Sequence, residues 1–268
     1  MLVDHDLHIH THLSACSCDE TATPENIIAR AAERGLATIG FADHMWDSRS
    51  PAASEWYRAQ DYPHISQSRN HIPDDTRGLR VLVGCETDYC GGGRVGISHE
   101  VAERLDFVLM ATSHLHMIGY TVPWRPQTAK EIALLMAEWF REALDLGLAT
   151  GMAHPFLPLG YKQNTDAVLD CISDGEFQDL FGLAAEQGVS IEVSVCCFPG
   201  CGAGELPGFH DEAFLRVLSL AREAGCVFHF ASDTHTLEGV GDSLKLEPYA
   251  RAVGITREDI LPLVRREG

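Results

Sequence analysis

Seven short apolar runs, at residues 3–9, 37–42, 79–85, 106–111, 148–153, 189–195 and 226–231, recur along the chain, each followed by a segment long enough to return it to the same end. Runs of this length bounded by glycine and polar residues read as strands buried on both faces. Strands joined by long crossovers lie parallel, and the crossovers are right-handed, so the helices between them cover the outside of the sheet. That pattern places the chain in the α/β class. With 268 residues and 45% hydrophobic content it can bury one large core. A closed or nearly closed α/β barrel spanning 1–268 as a single domain is therefore expected, with a doubly wound open sheet as the alternative.

The connecting segments carry helix signals. Thr23-Pro24-Glu25 offers an N-cap, a proline at the first helical position and an early acid for a helix over 24–34, and Gly35 ends it. Ile132, Leu135, Met136, Trp139, Phe140 and Ala143 share one face of a helix over 128–146, where they belong to the core. Further helices are expected over 175–186, 211–224 and 258–266. The region 45–77, with Pro51, Pro63 and Pro73, has no clean period and reads as loop with short helices over the domain's mouth. Gly91-Gly92-Gly93 and Gly96 read as a tight turn, since no helix-opening phosphate loop accompanies them.

The residues just beyond the strands carry the chemistry. Alternation puts residues i and i+2 on one face, so His8 and His10 point the same way from the end of the first strand. Two imidazoles so placed can hold one divalent metal. Later strands end in Asp43-His44, Glu86, His114-Leu115-His116, His154, and Asp233-Thr234-His235. One histidine after an apolar run is usually structural, but ligand-type residues after six of seven strands are poorly explained as separate accidents. In a barrel all these ends open on one mouth, and His8, His10, His44, Glu86, His114, His154, Asp233 and His235 would meet there.

The formal net charge of -19 argues against bulk binding to nucleic acid or to an anionic membrane, both of which need a basic surface. It leaves room for a small phosphorylated substrate, because bound divalent cations invert the local field. No apolar stretch is long enough to cross a bilayer and the first residues lack a secretory pattern, so a cytoplasmic protein is expected. Nine cysteines, an odd number without a framework, fit reduced thiols. The spacing of Cys16, Cys18, Cys196, Cys197 and Cys201 lacks the C-x-x-C knuckle, which makes an all-thiolate metal site the less favoured reading.

Taken together, Asp6-Leu7-His8-Ile9-His10-Thr11, Phe41-Ala42-Asp43-His44, Gly84-Cys85-Glu86, the Ser113-His114 stretch, Ala153-His154-Pro155 and Ser232-Asp233-Thr234-His235 resemble, in order and spacing, the polymerase and histidinol phosphatase (PHP) superfamily of metal-dependent phosphoesterases. The resemblance spans essentially the whole chain. It implies a distorted seven-stranded, TIM-like barrel and two or three divalent ions, with zinc, manganese or iron all suited to mixed imidazole and carboxylate ligands. His8, His10, Glu86 and Asp233 would hold one ion. Glu86 would bridge to a second held by His114 and His154, and His44 and His235 would hold a third. Where the family often supplies the third ion with another histidine or aspartate, this chain reads Ser14-Ala15-Cys16-Ser17-Cys18-Asp19, so Cys16 or Asp19 stands in register. His114 is preferred on register, with His116 the alternative ligand.

The implied activity is hydrolysis of a small phosphorylated metabolite, with L-histidinol phosphate the named candidate. Glu86 and Asp233 would act through the metals, and His235, His116 or a metal-bound water would protonate the leaving oxygen. Arg49, Arg94, Arg125 and Lys162 are loop cations able to reach a phosphate, although solvated surface roles are the commoner fate of such residues. Two other readings stay open: an amidohydrolase-type barrel, disfavoured by the position of Glu86 and the lack of a lysine at a central strand end, and a non-catalytic metal-binding module.

Overall fold

The computed structural model describes residues 1–265 except 48, 51–54, 120, 123, 203 and 205, with Glu55 described in its backbone alone. Eight strands are formed among the described residues: β1 (His5–Ile9), β2 (Thr38–Phe41), β3 (Arg80–Val83), β4 (Cys85–Asp88), β5 (Val108–Ala111), β6 (Gly151–Ala153), β7 (Ser190–Ser194) and β8 (Phe228–Ala231). They make two sheets, β1-β2-β3 and β4-β5-β6-β7-β8, and every pairing within them is parallel. The fold is therefore α/β with parallel sheets. Every apolar run of the sequence supplies a strand.

One run supplies two, which corrects the expectation of a single strand over 79–85. β3 pairs with β2, whereas β4 pairs with β5, and the change of partner falls at Gly84. The backbone there passes so close to Phe107 that a Cβ on residue 84 would sit 2.4 Å from the Phe107 carbonyl oxygen. Only glycine fits. The break is small, because the Gly84 N–H donates to Phe41 O at 2.9 Å and the Glu86 N–H to Ala42 O at 3.1 Å, so the start of β4 stays against the end of β2. Glu86 consequently lies inside a strand rather than beyond one.

The outer ends of the two sheets also meet. The Asp233 N–H donates to His8 O at 2.9 Å, the His10 N–H donates to Thr234 O at 3.0 Å, and Ile9 and Thr234 form a parallel bridge. The segment after β8 is thereby fixed beside the end of β1. His8, His10 and Asp233 are neighbours through backbone hydrogen bonds before any side-chain interaction is counted.

The helices follow their sequence signals. In α1 (Pro24–Arg34) the Thr23 side chain accepts from the Asn26 N–H and Gly35 closes the helix in the left-handed region. α2 (Ala129–Asp145) begins in a reciprocal capping box of Thr128 and Glu131 and buries Ile132, Met136, Trp139, Phe140 and Ala143. α3 (Asp174–Gln187) and α4 (Asp211–Glu223) match their predicted spans closely, while α5 (Glu247–Val253) had no clear period to announce it. The predicted helix over 258–266 is absent from the described residues: Arg257–Asp259 makes a 3-10 turn, and Ile260 then forms a bridge with Phe228. Arg266 lies outside the described residues. Short helical turns at Glu55–Arg58, Tyr62–Ile65 and Ser66–His71 occupy the aperiodic region as expected, with Pro51 outside the described residues. Gly91, Gly92 and Gly93 all have positive φ in a turn bridged between Tyr89 and Val95, as the glycine run implies.

Phe140 of α2, Phe156, and Phe177 and Phe181 of α3 form an aromatic cluster behind β6, with ring centroids 5.0 to 5.9 Å apart. All four are essentially inaccessible to solvent. Phe181→Ala removes the ring that the other three share and is expected to cost about 3–5 kcal/mol of unfolding free energy, read from urea melts. A loss below about 1 kcal/mol would mean that the cluster does not hold α3 to the sheet. No described helix is long and apolar enough to cross a membrane.

Candidate metal centre

Glu86 stands at the centre of the converging strand ends, and its two carboxylate oxygens face different partners. Oε2 lies 3.1 Å from His44 Nδ1, 3.3 Å from His8 Nε2 and 3.6 Å from His10 Nε2. Oε1 lies 3.0 Å from His154 Nε2 and 3.5 Å from His114 Nε2. Asp233 completes one side, its Oδ1 3.3 Å from His10 Nε2 and 3.6 Å from His8 Nε2. The His235 ring stacks on His10 with centroids 4.1 Å apart. Two of these residues are held in costly backbone conformations, His154 at φ 28° and Asp233 at φ 54°. Such strain in non-glycine residues persists where the surroundings fix it, and it commonly marks functional sites.

The imidazoles are oriented from behind. His8 Nδ1 is 2.9 Å from Glu192 Oε2 on β7, and Glu192 also receives His229 Nε2 at 3.2 Å and the His154 N–H at 3.1 Å. His114 Nδ1 is 2.5 Å from Asp88 Oδ1, and the Tyr57 hydroxyl donates to the other Asp88 oxygen. His154 Nδ1 is 2.6 Å from Ser113 Oγ. The turn after β1 is set by Asp43, which accepts from the Thr11 N–H at 2.6 Å and the Thr11 hydroxyl at 2.8 Å. Each ring's Nδ1 so engaged leaves its Nε2 facing the cluster.

Burial and charge set the protonation states. Burial pushes His44 down to about 3 and His10 down to about 4, the latter helped by neighbouring His235 and His8. Burial also opposes charge on His8, but Glu192, Glu86 and Asp233 outweigh it and hold His8 well above its ordinary value. His114 is raised to about 9 because Asp88 and Glu86 overcome the same burial penalty. Burial likewise works against ionised Glu86 and Asp233, yet the surrounding histidines hold both below the usual carboxylate range. Deeper still, burial raises Asp6 to about 7, with Oδ1 accepting from the Ser232 N–H and Oδ2 buried without a partner.

This donor set fits divalent metal. Three groups place one ligand atom per residue within 4.8 Å of the others: His8, His10 and Asp233; His8, Glu86 and His154; and His10, Cys16, His44 and His235. His8 Nε2 and His10 Nε2 are only 3.2 Å apart. His44 Nδ1 is buried and, although 3.1 Å from Glu86, lies outside hydrogen-bonding geometry. A buried ring nitrogen without a partner is costly unless a cation shares it.

Of the residues singled out in the sequence, His8, His10, Cys16, His44, Glu86, His154, Asp233 and His235 are brought into these groups. His114 is in none of these groups, but its Nε2 lies 3.5 Å from Glu86 Oε1 and its ring packs against those of His44 and His154. His116 does not join: it is an exposed residue whose ring stands edge-on to His114 with centroids 5.6 Å apart. Asp19 is also elsewhere, its carboxylate accepting from the Thr21 and Leu237 N–H groups and so fastening the loop. Cys18, Cys196, Cys197 and Cys201 enter no donor group among the described residues. Arg49 is spent on Asp47 and Glu100, and Arg94 on Cys90 O.

Asp88, Glu192, Ser113 and His229 support the cluster without standing out in the sequence. Glu86 and Asp88 stand at i and i+2 of β4, the same spacing that His8 and His10 have across the end of β1, and that repetition is the available signal. Glu192 is visible only as a carboxylate inside an apolar run. Ser113 is visible only as the neighbour of His114, and nothing in the spacing of His229 sets it apart.

A sequence profile of the PHP domain matches residues 6–194. A probable phosphatase of Syntrophotalea carbinolica is 35% identical over 115 residues, which is 43% of this chain and 42% of that protein, so the matched stretch spans less than half of that relative's length. Among solved structures, histidinol phosphate phosphatase from Lactococcus lactis, complexed with zinc, L-histidinol and phosphate, superposes with a TM-score of 0.60 at 17% identity and covers 94% of either chain. A putative histidinol phosphatase from Listeria monocytogenes gives 0.68 at 15% identity, covering 91% of this chain and 99% of that one. At these identities the likeness is one of fold.

Proposed function

The chain belongs to the PHP domain family, and from that premise we propose that it is a metal-dependent phosphoesterase hydrolysing a small phosphorylated metabolite, with L-histidinol phosphate the first candidate. The observation that carries this reading is the division of Glu86, whose two oxygens face two sets of imidazoles. In this reading His8, His10, Glu86 and Asp233 hold one ion, Glu86, His114 and His154 a second, and His44 and His235 with Cys16 a third. Such ions lower the pKa of bound water, polarise the phosphoryl oxygens and offset the charge that develops on them.

The chain's own groups do the rest. Glu192 and Asp88 fix the tautomers of His8 and His114, so that Nε2 of each ring is the donor. Trp56 packs against His44 with ring centroids 5.3 Å apart, making an apolar wall beside the cluster that shields it from bulk water. His235, only partly buried, is the imidazole best placed to pass a proton to a departing oxygen, and the exposed His116 is its alternative. The net charge of -19 favours a small substrate drawn by metal over nucleic acid or membrane.

The same reading takes the two sheets as one distorted seven-stranded, TIM-like barrel forming a single domain, with β3 and β4 the halves of one strand. The bridge between Ile9 and Thr234 supports it. A cytoplasmic location is proposed on the reduced state of the cysteines, all nine of which are free.

The test is phosphate release from L-histidinol phosphate beside a panel of nucleotide and sugar phosphates and phosphodiesters, with protein reconstituted in manganese or zinc. Metal-dependent release is expected, and it should vanish in His8→Ala. If no phosphoester is turned over while chelation still lowers the melting temperature, the chain is a metal-binding module and the proposal fails.

A further inference from the structure

One donor in the cluster differs in kind from the others. Cys16 Sγ lies 3.9 Å from His10 Nδ1 and 3.2 Å from Ser14 Oγ, and it shares a 4.8 Å neighbourhood with nitrogen atoms of His10, His44 and His235. The loop that carries it is fastened on both sides. The Ala15 N–H donates to Gln60 Oε1 at 2.9 Å, and the Ser17 hydroxyl donates to the His235 carbonyl at 3.0 Å. Asp19, the other donor that the loop offers, is committed to Thr21 and Leu237. His44 adds an independent sign of a ligand in the form of its buried, unpartnered Nδ1.

His10 Nε2 already faces His8 and Asp233, so one ring cannot complete both groups through that nitrogen. The remaining donors are one sulfur and two imidazoles, beside sites made of nitrogen and oxygen alone. Thiolate is a soft ligand that favours zinc or ferrous iron, whereas carboxylate and imidazole accept manganese readily.

We infer that Cys16 binds as a thiolate to the ion held by His44 and His235, and that this sulfur makes the third site selective for zinc over manganese while the sites sharing Glu86 stay permissive. The inference rests on the metal-dependent reading above and deepens it. Binding is an exchange in which the metal–sulfur bond forms and the thiol proton leaves to solvent. The protein would then carry a mixed complement, one tightly kept soft ion and a more exchangeable pair.

The experiment uses the metal-stripped full chain titrated with cobalt(II), which reports thiolate ligation by a sulfur-to-metal charge-transfer band in the near ultraviolet. The band is expected in the unaltered protein and in Cys18→Ser, and it should be absent from Cys16→Ser, which should also bind one equivalent fewer. Cys16→Asp should restore that equivalent without the band and lower the zinc-over-manganese preference by at least about tenfold, the lower end of what losing even a supporting group costs a metal site. This rescue separates ligation from folding. A band that persists in Cys16→Ser, or metal content and selectivity unchanged there, overturns the inference. No substrate is present, so a protein with the band but no phosphoester turnover sinks only the phosphoesterase reading. Turnover without the band sinks only the assignment of Cys16.

Discussion

Glu86→Ala is expected to remove more than one metal ion and to lower kcat/KM for the preferred phosphoester by at least about a thousandfold, which corresponds to ~4 kcal/mol of transition-state stabilisation. The magnitude follows from position. Five imidazoles face this one carboxylate, three on Oε2 and two on Oε1, so it is the side chain common to both halves of the cluster. Losing it removes the anionic donor that, in the proposed reading, two ions would share. Glu86→Gln separates chemistry from packing, because it keeps the volume of a residue that is about 1% exposed while removing its charge. Both variants should lose metal, measured by elemental analysis, and both should melt near the temperature of the chelated parent protein. Full metal content and full turnover in either one would refute the bridging role.

How far this site could be read from the chain depends on where each residue stands relative to a strand end. His8, His10, His44, His154, Asp233 and His235 were legible because each follows or closes an apolar run, and parallel topology sends every such end to the same side. Glu86 was found on the same grounds, as the residue that follows the run 79–85, although Gly84 interrupts that run and leaves Glu86 within β4. The interruption itself was not legible. It depends on the close approach of Phe107, a residue distant in the chain, and local pattern carries no record of such a contact.

Residues that act from behind the cluster were harder to see. Glu192 and Asp88 point inward from their strands, where a single sequence suggests a tolerated exception rather than a partner for His8 or His114. Cys16 and Asp19 show the converse difficulty. Both are metal-ligand types in a loop with no period, and only the three-dimensional fastening of Asp19 to Leu237 decides which of them faces the histidines. The closing helix over 258–266 failed for a similar reason, since Ile260 is drawn into a bridge with Phe228 and tertiary pairing overrides local propensity.

The pH dependence of metal binding follows from His8 and His114. In each ring Nδ1 faces a carboxylate, Glu192 at 2.9 Å and Asp88 at 2.5 Å, so Nδ1 keeps its hydrogen and Nε2 is the nitrogen that a metal takes. Without metal both rings also hold a proton on Nε2 at neutral pH, His8 because it is held well above its ordinary value and His114 because it is raised to about 9. Each proton must leave when the ion binds. Uptake at pH 7 should therefore release about two protons from these rings, and affinity at each site should fall about tenfold per pH unit as pH drops below the raised pKa. His10 and His44, pushed down to about 4 and about 3, are already neutral there and contribute none. Stability has the opposite sign in the metal-free protein. A His114 pKa raised above 6.5 adds stability that is fully present below pH 6.5 and is lost as pH rises through about 9, so the chelated protein should weaken across that window. Zinc calorimetry in buffers of different ionisation enthalpy counts the protons, best in a Cys16→Ser background where no thiol adds to the total. His114→Ala should lower the count by one and flatten the alkaline loss of stability. Metal uptake that releases no proton at pH 7 would show that both rings are neutral in the free protein, and that the carboxylates around them do not govern access to the site.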